Sequence, residues 1–370
     1  MAKTYRYFVE ISFNKGECIQ ELGTHDMQYY NVGGVVKTDR VRFFKKKIKI
    51  QAERKKYHSF QKILRDSSLK IHHVIERSIM IYYANCTNFP LINSIKVKLE
   101  CADESQNFNE RTNRLSTPQI FSAFLHRDSV NTFLPSGAWF ALDKKGKALR
   151  ISLSYWLEAI STNVTQIKFE RAWTAFNTLY TFYGKTGKEA ENHKYIKSQI
   201  RNNPVSFHDS LHLSATMITT TTRSFRWKIW VLNHIERKGF SILENIMTSI
   251  TDDRLKQVFS GIFSSVDVTS KFADVGNAVR NATLQRQLNN IQSSLATAGV
   301  RNDMDVTLML CVNYAYFLRN RRFHGGSENS FCKICPTTED NEFDTISNRL
   351  ITLVKELYKA EDIIAENSNP

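Results

Sequence analysis

The pattern of apolar and polar positions divides the chain into two parts. In the first part, apolar, β-branched and aromatic residues tend to alternate with polar ones, which is the period of a strand with one buried face. This pattern predicts strands over residues 5–13, 35–50 with a basic interruption, 78–84 and 95–101. His72 and His73 precede the third of these runs, and we assign them to a surface loop.

From about Trp156 onward, apolar residues recur at the three-and-four spacing of helices. The clearest helix is predicted over residues 168–183, where one apolar face is followed by Gly184 as a stop signal. Residues 304–318 are apolar nearly all round, which predicts a helix buried on most sides. The other predicted helices occupy residues 189–201, 223–236, 241–248, 254–263, 280–297 and 342–359.

The order of these elements predicts an α+β fold. A basic N-terminal domain that contains the strands, residues 1–150, is followed by a mainly α-helical domain, residues 151–370. Turn signals at residues 134–137 and 143–146 place the boundary where the strand-like pattern gives way to the helical one.

Composition excludes several classes of protein. Of 370 residues, 42% are apolar and 12% aromatic, which excludes disorder as the main state. Gly and Pro number only 14 and 6, too few for a turn-rich β array. No apolar run approaches the roughly 18 to 20 residues of a membrane span, so we expect a soluble protein without a membrane partner. The 6 cysteines are too sparse for a disulfide scaffold, and we expect a cytoplasmic location.

The charge of the chain is strongly positive and unevenly distributed. The 51 Lys and Arg residues exceed the 36 Asp and Glu residues, which gives a formal net charge of +15. Twelve of the cations fall between Arg40 and Lys70, with aromatic residues among them and only Glu53 and Asp66 in opposition. This is typical of a solvated basic face or of a surface that follows a nucleic-acid backbone, and both interpretations stay open. The candidate RNA-binding cations here are Lys45, Lys46, Lys47, Lys49, Arg54, Lys55 and Lys56.

A polar cluster follows the predicted buried helix. Arg319 and His324 are separated by four residues, and Gly325 and Gly326 then supply left-handed conformations that end the helix. The imidazole can move a proton near neutral pH, and the guanidinium can stabilise a phosphate that gains negative charge. The pair is therefore suited to RNA cleavage without a metal. The alternative is a helix C-terminus whose cations complement the helix dipole.

This motif resembles the R-x4-6-H signature of the HEPN superfamily, in which a polar residue, often Asn, follows the Arg directly. Asn320 occupies that place. Residues 169–180 are similar to the aromatic-rich opening helix of HEPN domains in phage-defence and abortive-infection proteins. Over about residues 150–365, the resemblance implies a compact helical bundle in which these two helices pack together. More chain separates them than in minimal HEPN domains, so it also implies a long helical insertion.

The resemblance assigns a role to each residue of the motif. His324 would be the general acid and base, Arg319 the cation that stabilises the phosphate, and Asn320 the residue that orients the pair. Arg321 and Arg322 would contact backbone phosphates. The attacking group would be the 2′-hydroxyl of the RNA itself, which leaves a 2′,3′-cyclic phosphate and requires no metal and no cofactor.

The resemblance also implies partners. HEPN domains usually dimerise so that two motifs face one cleft, and we expect a homodimer through the helical domain. The expected substrate is RNA, and the accessible anticodon loop of tRNA is one plausible target. The expected biological role is a toxin or phage-defence effector restrained by a regulatory or antitoxin protein. The alternative is a non-catalytic nucleic-acid-binding or adaptor protein that dimerises through its helical bundle.

Two further patterns have the spacing of metal ligands. His208 and His212 lie four residues apart on a predicted helix, although two surface histidines are the ordinary explanation. Cys332 and Cys335 form a single C-x2-C without the second pair of a typical zinc site, and we interpret them as an incidental reduced pair. Phosphate-loop and dinucleotide-binding fingerprints are absent from the sequence, which argues against ATP-driven chemistry.

Overall fold

The structure, a computed structural model, describes residues 4–15, 18, 21–86, 90–101, 110–112, 135–237, 240–276, 281–323 and 337–364. Its strands are β1 (Tyr5–Lys15), β2 (Gly23–Val32), β3 (Val35–Phe44), β4 (Lys47–Arg54), β5 (Leu91–Cys101) and β6 (Glu110–Thr112). The helices before residue 203 are α1 (Phe60–Arg65), α2 (Lys70–Ala84), α3 (Lys144–Ile160), α4 (Thr165–Gly184) and α5 (Glu189–Asn202). The later helices are α6 (His208–Ala215), α7 (Thr219–Arg223), α8 (Trp227–Arg237), α9 (Phe240–Thr248), α10 (Asp253–Phe263), α11 (Val266–Gly276), α12 (Asn281–Ala296), α13 (Asp303–Leu308), α14 (Ala315–Phe323) and α15 (Thr338–Lys359). The predicted α+β fold, with the strands in the N-terminal part, is confirmed.

Within the described residues, the strands form one six-stranded antiparallel sheet in the order β2-β3-β4-β1-β5-β6. The N-terminal strand β1 lies between β4 and β5, so that Glu10 pairs with Lys49 on one side and with Lys96 on the other. Because side chains alternate between the two faces of a strand, this register decides which residues share a face.

One face of the sheet forms a hydrophobic core with α2. The ring of Phe13 stacks on that of Tyr82 in α2, with 4.1 Å between the ring centroids. The buried apolar residues of the strands are Tyr7, Val9, Ile11, Phe13, Met27, Val41, Phe43, Ile48, Ile50, Ala52, Ile95, Val97 and Leu99. The intervening residues of the same strands lie on the opposite face, which α2 does not cover.

The prediction of a strand over residues 78–84 is wrong, because these residues form the second half of α2. The assignment of His72 and His73 to a surface loop is wrong for the same reason. A run of seven mainly apolar residues is too short to distinguish the period of a strand from that of a helix. The helical period becomes visible only from Ile71 onward, since the buried residues of α2 include Ile71, Val74, Ile75, Ser78, Ile81 and Tyr82.

Strand β2 is not among the predicted strands. It is an edge strand that pairs only with β3, and Met27 is its one residue with a buried side chain. An edge strand with so little burial has almost no apolar alternation to detect. The signal that could have found it is the turn: Gly33 and Gly34 have positive φ values of 57° and 79°, which a two-residue hairpin turn between paired strands requires.

Helices α3 and α4 pack against each other. The hydroxyl of Ser152 in α3 lies 2.8 Å from the carbonyl oxygen of Ala175 in α4, to which it donates, and 2.8 Å from the hydroxyl of Tyr358. Helix α4 confirms the helix predicted over residues 168–183. It ends at Gly184, after which Lys185 adopts the left-handed conformation with φ of 53°.

The chain divides into two compact units. The first comprises Met1–Asn192 with Leu357–Pro370, and the second comprises His193–Glu356. The sheet, α3 and α4 therefore belong to one unit, although α3 and α4 extend beyond the boundary predicted at residue 150. Because units defined by contacts need not be independently folding domains, that boundary stays a prediction.

The second unit contains a buried ionic network around Arg254. Its guanidinium lies 2.7 Å from carboxylate oxygens of Asp252 and Asp303, and it donates hydrogen bonds to the carbonyl oxygens of Ser214 and Met217. These bonds join the start of α10 to the start of α13 and to the end of α6. Because the Arg254 side chain is only 3% exposed, its charge depends on these partners for compensation.

Arg54, a candidate RNA-binding residue, forms a buried ion pair with Asp39. It follows Ile48, Ile50 and Ala52 in the alternation of β4 and therefore lies on the core face. Its guanidinium donates to both carboxylate oxygens of Asp39, which is 1% exposed, and lies 3.9 Å from the ring centroid of Tyr29. Burial raises the pKa of the Asp39 carboxyl, and the neighbouring guanidinium opposes that shift.

We predict that Arg54→Ala lowers the free energy of unfolding by about 3 to 5 kcal/mol, because it leaves the Asp39 carboxylate buried without a cation. Lys55→Ala, which removes the neighbouring exposed cation, should change it by less than about 0.5 kcal/mol. Urea denaturation of both variants measures the difference. Equal effects would contradict a structural role for Arg54.

Candidate functional site

The helix that precedes the candidate catalytic motif runs without a break from α13 to α14. A π-helical segment, Met309–Tyr314, lies between them. From Asp305 to Leu318, only Asn313 and Tyr316 are more than marginally exposed, which confirms the predicted buried helix. The π segment is not predicted from the sequence. It rotates the residues that follow it relative to a regular α-helix, and such segments are frequent at functional sites.

Helix α5 packs along one side of this helix with a stripe of basic side chains spaced four residues apart. The amine of Lys197 donates to Oδ1 of Asn313 over 2.7 Å, and the ring of His193 meets that of Tyr316 edge to face at 5.1 Å. Burial, and then the charge of Arg201, lower the pKa of the Lys197 amine to about 8. Near neutral pH, this site therefore holds an amine that releases its proton more readily than an ordinary lysine.

The other side of the helix is held by a polar network. The hydroxyl of Tyr314 donates to Oε1 of Glu342 over 2.8 Å, and the Nε of Arg226 donates to Oε2 of the same carboxylate over 2.7 Å. Burial, together with the negative charge of Glu342, raises the pKa of Tyr314. The network joins the helix to the starts of α8 and α15 and so fixes the segment from which α14 projects.

The described residues of the motif lie in the last two turns of α14. The Nη1 of Arg319 donates to Oδ1 of Asn320 over 2.9 Å, and both side chains are partly exposed. The guanidinium of Arg321 lies 5.7 Å from the ring centroid of Phe317, and Arg322 is also partly exposed. A guanidinium held by a neighbouring amide presents N–H groups in a fixed orientation, as recognition of a phosphate requires.

His324 lies outside the described residues, as do Cys332 and Cys335. The structure therefore describes two of the three candidate catalytic residues, Arg319 and Asn320, and brings their side chains together. The aromatic-rich segment 169–180 lies in α4, in the other compact unit, so its expected packing against this helix stays a prediction.

The candidate cations of the basic segment lie in three places. Lys45 and Lys46 form the turn between β3 and β4, and Lys47 and Lys49 lie on the exposed side of β4. Lys55 and Lys56 are exposed directly after β4, and Arg54 points into the core. A continuous run in the sequence is thus distributed over different surfaces, because the strand alternation and the turn separate its members.

Strand pairing places further cations beside Lys49. The exposed face of β3, β4, β1 and β5 contains a groove of about 630 Å³ whose lining includes five cationic side chains and the ring of Phe8. We call this surface the basic face, and its cations are Arg40, Arg42, Lys49, Lys96 and Lys98. Lys96 and Lys98 were not among the candidate residues, because they come more than forty positions after Lys49 and only the order of the strands makes them neighbours.

The candidate metal ligands that the structure describes form no cluster. The rings of His208 and His212 are parallel, with centroids 6.2 Å apart. Among the described residues, no three His, Cys, Asp or Glu side chains are grouped so as to hold a metal ion. Among the same residues, no helix has the length and apolar character of a membrane span.

Comparisons of the chain with protein-family models, with curated proteins and with solved structures give no match.

We predict that Lys197 makes the free energy of unfolding depend on pH between about 8 and 10.5. In this range the unfolded chain keeps a proton that the folded chain has lost, so stability rises with pH. Lys197→Met should reduce that rise by about 1 to 3 kcal/mol. Lys194→Met, which removes an exposed amine from the same helix, is the control. Chemical denaturation at pH 7.5, 9 and 10.5 measures the effect, and identical pH profiles for wild type and Lys197→Met would refute it.

Proposed function

We propose that the protein is a metal-independent endoribonuclease whose catalytic residues are Arg319, Asn320 and His324. The observation that carries the proposal is the hydrogen bond between the side chains of Arg319 and Asn320 at the partly exposed end of a buried helix. Contacts on two sides of that helix favour a fixed position for the pair, and His324 follows in the sequence directly after α14. The resemblance of this motif to that of HEPN proteins supports the same assignment.

The proposed reaction needs only the RNA and these side chains. His324 removes the proton from a 2′-hydroxyl, whose oxygen attacks the adjacent phosphorus. The bond from phosphorus to the 5′-oxygen breaks, and the protonated imidazole of His324 returns a proton to that oxygen, so the products are a 2′,3′-cyclic phosphate and a 5′-hydroxyl. Arg319 stabilises the negative charge that develops on the phosphate oxygens, and Asn320 holds the guanidinium in place. Arg321 and Arg322 bind neighbouring phosphates.

The biological part of the proposal follows from the HEPN resemblance. The protein acts as a cytoplasmic homodimer that forms through the helical region, and it serves as a toxin or phage-defence effector. A regulatory or antitoxin protein restrains it, because an unrestrained ribonuclease would damage its own cell. The anticodon loop of tRNA is a suitable substrate, since its bases are accessible in a single strand.

A second candidate function is a nucleic-acid-binding or adaptor protein without catalysis. The basic face favours it, because five cations around one groove can bind phosphates without any reaction. The two candidate functions differ in whether His324 is needed for RNA to be cleaved.

We predict that the purified protein cleaves total cellular RNA in excess EDTA and that His324→Ala abolishes the cleavage. The reason is that only His324 in the motif can transfer a proton near neutral pH. Gel electrophoresis measures the cleavage, and chemical analysis of the new ends should find cyclic phosphates.

His212→Ala is the matched control, since it removes an exposed imidazole from α6 and should leave cleavage intact. Equal cleavage by wild type and His324→Ala would refute the assignment of the catalytic base. The adaptor function would be favoured if the wild-type protein binds RNA tightly but does not cleave it. This result must hold for the purified protein and also for protein isolated in its activated form from infected or stressed cells.

A further inference from the structure

We propose that the basic face binds single-stranded RNA, with a base stacked on the ring of Phe8 and phosphates bound by the surrounding cations. The choice of RNA rests on the proposed function, which this inference deepens by naming the class of substrate. The evidence for the binding surface comes from the sheet, and the binding experiment does not depend on RNA cleavage.

The charge of the groove favours an anionic partner. Its two acidic side chains are already paired, since Glu10 lies 3.5 Å from the amine of Lys49 and Glu100 lies 2.8 Å from that of Lys98. Among the described residues, no carboxylate lies within 4.0 Å of the charged groups of Arg40, Arg42 or Lys96. These three cations line the same groove, so an incoming phosphate competes with no internal ion pair for them.

The register of the strands surrounds Phe8 with cations. Phe8 in β1 pairs with Gln51 in β4 and with Lys98 in β5, and Gln51 in turn pairs with Arg40 in β3. With a spacing of about 4.8 Å between strands, the backbone positions of Arg40 and Lys98 lie on opposite sides of that of Phe8, about 10 and 5 Å away. A base on the ring therefore has a cation on each side of it.

The neighbouring row across the sheet repeats this arrangement. Arg42 pairs with Lys49, which pairs with Glu10, and Glu10 pairs with Lys96. The two rows are two residues apart along each strand, or about 7 Å. Successive phosphates of one strand can follow these rows while the base between them contacts the ring.

A second ring lies at the end of the same face. Phe44 lies in β3 on the same face as Arg42. The guanidinium of Arg42 is 4.8 Å from the centroid of the Phe44 ring, and the amines of Lys47 and Lys49 are 5.3 and 5.8 Å from it. Aromatic rings interspersed with cations are the usual means by which sheets bind single strands without sequence preference.

These rings favour a single strand over a duplex. Bases in a duplex are stacked on each other and present only their edges and phosphates, whereas unpaired bases can stack on a protein ring. A surface that used charge alone would bind both forms. We therefore expect the preference for single strands to depend on Phe8.

The test measures binding by the full chain with His324→Ala, so that RNA is not consumed. Fluorescence anisotropy gives the Kd for a twelve-nucleotide oligouridylate and for a twelve-base-pair RNA duplex over a range of salt concentrations. We expect tighter binding of the single strand. Phe8→Leu keeps an apolar side chain but removes the ring, and it should weaken single-strand binding roughly fivefold or more while leaving duplex binding unchanged.

A pair of matched double variants locates the phosphate contacts. Lys96→Gln with Lys98→Gln removes two cations from the basic face and should reduce the slope of log Kd against log salt by about 1.4. Lys144→Gln with Lys147→Gln removes the same charge from two exposed positions at the start of α3, and the slope should change much less. Thermal unfolding of each variant verifies that the fold is retained.

Three results would overturn the proposal: equal slopes for the two double variants, duplex binding as tight as single-strand binding, or no effect of Phe8→Leu on the single strand. Its failure is distinguishable from failure of the proposed function. Single-strand binding at the basic face together with RNA that stays intact would retain this inference and remove the ribonuclease.

Discussion

The two-residue period of the antiparallel sheet is the constraint on which the N-terminal region depends. Burial of one face against α2 fixes the register, because a shift by one residue would bring cations such as Lys49 into the core and Ile48 and Ile50 out of it. The same constraint places Arg40, Arg42, Lys49, Lys96 and Lys98 on the opposite face. The basic face is thus a consequence of how the hydrophobic core is built. Arg54 and Asp39 are exceptions, since both lie on the core side, where they form an ion pair with each other.

The second unit depends on buried polar groups as much as on apolar packing. Arg254 joins three helix ends, and Glu342 links Tyr314 to Arg226. Such groups tolerate burial only while their partners stay in place, so they specify one arrangement of the helices. The helix that carries Arg319 and Asn320 begins within the first network and is held by the second at its π segment. An arrangement of this kind presents the end of α14 in one position, as the proposed catalysis would require.

Under the proposed function, the two candidate surfaces have different roles in acting on RNA. Cations and rings on a sheet supply affinity with little dependence on sequence, whereas an Arg, an Asn and a His at a helix end supply the groups that act on one phosphate. The net charge of +15 favours nucleic-acid association in general, but it does not indicate which cations take part. Their positions on the sheet make that distinction.

Long, strongly periodic elements were determined by the sequence alone: α4, the buried helix ahead of Arg319, and the alternation in β1, β3 and β4. The sequence also predicts the candidate chemistry of the Arg319 motif, because its residues lie close together in the chain, and that chemistry stays a prediction. Only the tertiary structure decided that residues 78–84 are helical, that β2 forms an edge strand, and that Lys96, Lys98 and Phe8 share a surface with Arg40. The physical reason is that a local pattern records only the period of one element. Tertiary contacts join residues that are separated in the chain. Examples are the pairing between strands, the ion pair of Arg54 with Asp39 and the hydrogen bond of Lys197 with Asn313.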